Sequence, residues 1–128
     1  MPESAYQPFE PARRPGGKPQ RKPAYRVLVH RRYAHLWAEL PQRIGLESAQ
    51  QFYDHVAFSP GTVSPINRTT LLAGKAGRPW ADGFSRTVHY EISGAGRINY
   101  QYNDAYTYGA TGDAHRVVVI LTIELASH

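Results

Sequence analysis

Histidine, arginine and a carboxylate, if brought beside one phosphate, can move protons and hold developing negative charge. This sequence carries those types at strand spacing. His89 and Glu91 are two residues apart, Arg97 opens the next extended run, and Glu124 and His128 close the chain four apart. Residues two or four apart on a strand share a face. An imidazole titrates near pH ~6.5 and serves as either acid or base. A guanidinium grips phosphate oxygens in pairs and stabilises their charge. Together these groups suit a phosphodiester, with no cofactor called for. No metal site is indicated: the chain has no cysteine, and no histidine pair at ligand spacing is backed by a third ligand.

The elements that must position these groups follow from periodicity. Arg26-Val-Leu-Val-His30 reads as a first strand. Tyr33, Leu36, Trp37 and Leu40 then recur at helical spacing, and Pro41 is expected to end or kink that helix. A second helix is predicted over Leu46–Phe58, stopped by Ser59-Pro-Gly61. The period then changes to two. Strands are predicted over 85–92 and 97–102, joined by Ser93-Gly-Ala-Gly96, with a loop over 103–114 and a last, apolar, central strand over 116–125.

The order is β-α-α-β-β-β, an α+β domain with a helical hairpin on one face of a small, mainly antiparallel twisted sheet. On the last strand Val117, Val119, Leu121, Ile123 and Leu125 form one unbroken apolar row, and Thr122, Glu124 and His128 belong to the other. Each strand thus offers an apolar row for the helices and a row with polar ends: His89 and Glu91, Arg97, and Glu124 with His128.

The 128 residues suffice for one domain. No apolar run approaches the ~20 residues that span a bilayer, and no secretion signal opens the chain, so a cytoplasmic location with no membrane partner is expected. Charge is unevenly spread. Residues 1–32 carry eight Lys or Arg and two Glu, a balance of +6, whereas the rest carries seven basic and eight acidic residues. Residues 1–24 hold six prolines and Gly16-Gly17, and proline lacks the donor a ladder needs. They are read as a disordered basic arm, with Arg13, Arg14, Lys18, Arg21 and Lys22 available to polyanions, ahead of a folded domain over 25–128. Lys75 and Arg86 are further candidate phosphate contacts. Tyr106 and Tyr108, in the 103–114 loop, are candidate base-stacking groups.

Four strings in order, Leu71-Leu-Ala-Gly-Lys75, Gly83-Phe-Ser-Arg86, Gly96-Arg-Ile-Asn-Tyr100 and Val117-Val-Val-Ile-Leu-Thr-Ile123, resemble the RelE/ParE toxin superfamily over residues 26–128. The messenger-cutting, YoeB-type branch is the nearest. The chain departs from it in a longer hairpin, an insertion over 103–114, and Asn67-Arg-Thr-Thr70 where that branch has a glutamate. The resemblance implies a RelE-like fold and a toxin–antitoxin toxin that cleaves messenger RNA on the ribosome without metal, by 2′-hydroxyl transesterification. It also implies a cognate antitoxin as partner. Arg97 would hold the scissile phosphate and His128 would be the acid or base, matching the family's strand arginine and terminal histidine. His89 would share the proton work, and Glu91 or Glu124 would replace the missing carboxylate. Two alternatives share the fold or the charge: a ParE-like inhibitor of DNA gyrase without catalysis, and a noncatalytic RNA- or ribosome-binding module.

Overall fold

In a computed structural model of the chain, the structure describes residues 8–19, 21–64, 68–92, 96–106 and 114–125. Strand β1 is Phe9–Pro11 and β2 is Arg26–His30. The helices are α1, Ala34–Ile44, and α2, Leu46–Phe58. Strands β3 (Thr69–Leu71), β4 (Val88–Ile92), β5 (Gly96–Tyr106) and β6 (His115–Leu125) follow. One mixed sheet has the order β1-β2-β6-β5-β4-β3. All neighbours are antiparallel except β2 and β6, which run parallel from Arg26↔Val117 to Val29↔Ile120. The expected six-element order is therefore contained in a longer one, with an extra short strand at each edge.

The arm is not a free tail over residues 8–19. Proline is tolerated on an edge strand, where one side of the backbone has no partner to lose. Pro11 sits opposite Leu28 on such an edge, and the chain continues with Ala12 N–H donating to the Val27 carbonyl. Phe9, Ala12 and Pro15 are buried. Trp37 Nε1 donates to the Arg13 carbonyl at 3.0 Å, and Gln50 Nε2 to that of Pro15 at 3.0 Å. The segment straps the helical layer.

Pro41 does not end α1. It falls late in the helix, where its missing N–H costs one bond, and the helix runs on to Ile44. The break comes at Gly45, whose φ of 97° suits glycine and turns the chain into α2. Trp37 and Leu40 of α1 and Ala49, Phe52, Tyr53, Val56 and Ala57 of α2 form the buried stripes. They pack on Val27, Val29, Val88, Tyr90, Ile92, Ile98, Tyr100, Val118, Ile120 and Ile123 of the sheet. Phe52 lies edge-on to Tyr90 at 4.9 Å, near the centre. Each such aromatic or aliphatic burial stabilises by about 1.5–3 kcal/mol.

A β-bulge corrects the expected apolar row of β6. Asn99 pairs with Thr122 but Tyr100 with Ile120, so Leu121 is the extra residue. Before it, Val118 and Ile120 face the helices; after it, Ile123 does. Val117 and Val119 instead pack on the opposite face with Phe9, Leu28 and Phe84, a second small core roofed by the 78–84 segment. Strand β5 is also longer than expected: 103–106 are ladder, not loop.

Candidate active site

Cross-strand partners on an antiparallel ladder put their side chains on the same face. The register sets His89 opposite Asn99 and Asn99 opposite Thr122. One row along, Glu91 is opposite Arg97 and Arg97 opposite Glu124. These alternate with Tyr90, Ile98, Tyr100 and Ile123, which belong to the helical side. His89, Glu91, Arg97, Asn99, Thr122 and Glu124 therefore share the face that the helices leave uncovered. Glu124 reaches it because of the bulge at Leu121; unbroken alternation from Ile120 would send it among the helices.

His89 Nδ1 lies 2.7 Å from Asn99 Oδ1. With a carbonyl oxygen as partner, Nδ1 carries the proton and the neutral ring keeps its lone pair on Nε2. Asn99 thus sets the tautomer of His89. It was legible as a face-sharing neighbour of Arg97, but its role needed the register. Arg97 and Glu124 are exposed, and Glu91 and His89 are half-buried. Arg14 pairs with Asp54, and among the described residues no ion pair joins Arg97 to Glu91 or Glu124. The guanidinium is flanked by carboxylates without being locked to either, and its five donors can meet an anion.

His128 and Tyr108 lie outside the described residues. The remaining candidates are not gathered at this patch. Arg86 is spent on its own loop: Nε donates to the Leu72 carbonyl at 3.0 Å and Nη2 to that of Gly74 at 2.6 Å. Lys75 is exposed on the 3-10 turn Gly74–Gly77. Tyr106 packs on Phe84 at the far end of β5, nine residues and up to about 30 Å from Arg97.

Arg14 makes a two-pronged ion pair with Asp54 of α2, at 2.9 and 3.0 Å, and Arg21 lies 4.2 Å over the Phe58 ring. Those two arm cations belong to the helical side, away from His89 and Arg97. Arg13, Lys18 and Lys22 are exposed.

Among the described residues, no three His, Asp or Glu side chains stand together as a metal-holding group. No helix among them is long and apolar enough to cross a membrane. Comparison with protein-family models, with curated proteins and with solved structures finds no match in any of the three.

Proposed function

We propose that the chain is a RelE-type toxin, an endoribonuclease that cuts messenger RNA by transesterification on the uncovered face of its sheet. The observation that carries this reading is the register of β4, β5 and β6, which gathers a tautomer-fixed histidine, an uncommitted arginine and two glutamates on one face. His89 Nε2 accepts the proton of an RNA 2′-hydroxyl, and the 2′-oxygen attacks the adjacent phosphorus. Arg97 donates to the non-bridging oxygens as their charge grows. The bond to the 5′-oxygen breaks, and that oxygen takes a proton from an imidazolium, a part we assign to His128, which the resemblance implies as acid or base. The products are a 2′,3′-cyclic phosphate and a 5′-hydroxyl. Glu91 and Glu124 flank Arg97 on the neighbouring strands and leave it free to turn to the phosphate. A ribosome would present the codon, and an antitoxin would cover the face.

The test is to incubate the purified chain with ribosomes translating a defined messenger and to map new ends. Wild type should yield 5′-hydroxyl fragments. Arg97→Ala should lower the rate by about 10²–10³, the range for removing one charge-stabilising donor. His89→Ala should lower it by about 10²–10⁴. If no messenger is cut while gyrase supercoiling is blocked, the nuclease reading is replaced by the gyrase inhibitor.

A further inference from the structure

Trp80 is the one Phe, Tyr or Trp side chain among the described residues that is exposed, at 51% of its full surface. It is also firmly held. The side chain of Gln101, 1% exposed, accepts from Trp80 N–H at 2.8 Å and donates to the Arg78 carbonyl at 2.9 Å and to Thr87 Oγ1 at 3.0 Å. A buried amide on β5 thus fixes the backbone of 78–80 from below. The indole packs edge-to-face on Phe9 at 5.3 Å and His30 at 6.4 Å, with Tyr33 beside His30. A rigid aromatic half in water is costly for a chain that needs only a core.

The surrounding charge is mainly positive. The stretches 30–33 and 75–80 carry Arg31, Arg32, Lys75 and Arg78, all exposed, and no acid; Glu10 and Asp82 lie just beyond. Gln101 shares the face and strand of Arg97, four residues away, or about 13 Å along β5. A single strand crossing Arg97 reaches Trp80 within a few nucleotides.

We infer that Trp80 is a stacking platform for an unpaired base of a single-stranded RNA, with phosphates taken by Arg31, Arg32 and Arg78. The inference rests on the nuclease reading for its choice of RNA and deepens it, placing a second contact point outside the reacting groups. A flat indole with cationic neighbours suits any base, because every base offers a π-face and every nucleotide a phosphate. An apolar hollow of about 90 Å³ beside Trp80, lined by Leu28, Phe84 and Val119 among others, offers a protein partner less: it has room for about one side chain, far short of a protein interface.

The experiment is a titration of the full chain with an end-labelled 2′-O-methylated decaribonucleotide, which cannot be cut; the anisotropy of the label reads binding in every variant, and indole fluorescence reads Trp80 in the wild type. Trp37 is buried, so quenching reports Trp80. Wild type should be quenched, and the same sequence as a duplex should quench several-fold less. Trp80→Leu should weaken binding by about tenfold, one stacked base or about 1.4 kcal/mol, and Trp80→Tyr should restore most of it. An unchanged thermal midpoint in Trp80→Tyr separates this from a folding loss. The inference is overturned if Trp80→Leu binds as wild type, if duplex is preferred, or if no oligonucleotide quenches and only a protein partner shields the indole. Quenching without cleavage would sink the nuclease alone, and cleavage undiminished in Trp80→Leu would sink the platform alone.

Discussion

His55 and His89 are both half-buried histidines, and what surrounds each decides what it can do. His89 has Asn99 to fix its proton and an open face beyond. His55, near the end of α2, tilts against Tyr90 at 5.7 Å, and its buried Nε2 has no hydrogen-bond partner among the described residues. Burial lowers its proton affinity, opposed by a backbone contact from Thr62. Its folded pKa lies below the unfolded one, so at mildly acidic pH the unfolded chain binds the extra proton and stability falls as pH drops through the ordinary imidazole range. The thermal midpoint should decline between pH 7 and 5, and His55→Phe should flatten that decline. Parallel curves for the two proteins would show that this histidine does not contribute.

The same contrast separates the phenols. Tyr25, partly buried and donating to Asp104, is pushed up to about 12, burial being the larger cause. The Tyr100 phenol is pushed up further by burial and donates to the Pro60 carbonyl. Neither is a proton carrier near neutrality.

At the scale of elements, the bulge at Leu121 does most to shape the site. Deleting Leu121 would remove the extra residue and let β6 alternate regularly, with Thr122 and Glu124 still on the open face and Ile123 still among the helices. The deletion should therefore still fold, with a native-like circular dichroism spectrum. Leu121→Ala, which keeps the extra residue, should cost about 1–2 kcal/mol in denaturant unfolding. A deletion that fails to fold would refute the register argument.

Strand β6 also shows where sequence reading stops. Val117 to Ile123 is apolar on both parities, so alternation cannot mark the bulge, and Glu124 was assigned to the open face from a row that is in fact split. The helices were readable because a 3.6-residue stripe has no such ambiguity; Leu46–Phe58 matches to the residue. On β4 and β5, apolar and polar residues alternate cleanly, which is why His89, Glu91 and Arg97 were placed on one face. What a single strand cannot reveal is which residue of a neighbour it meets, and the His89–Asn99 contact is of that kind. The arm was misread for a different reason. Loss of a donor at Pro11 is a local fact, whereas its position on a sheet edge is a global one.

For the molecule as a whole, the arm changes how charge and stability are coupled. Removing residues 1–16 takes away β1, the buried Phe9, Ala12 and Pro15, and the Arg14–Asp54 pair. Loss of a buried phenylalanine alone costs about 3–5 kcal/mol, so the thermal midpoint should drop by roughly 10 °C or more. A truncation that melts like the full chain would mean the strap is dispensable. Any RNA-binding loss in such a truncation must therefore be read beside its melting curve.

The sheet also has an order of assembly written into it. Strands β1 and β2 lie on one side of β6, and β5, β4 and β3 on the other, and β6 leaves the ribosome after all of them. Until it arrives, no ladder of hydrogen bonds joins the two halves of the sheet, and Glu124 is not yet beside Arg97. Arg97 thus gains its second carboxylate neighbour only once β6 has been made, and the open face is complete no earlier than the sheet itself.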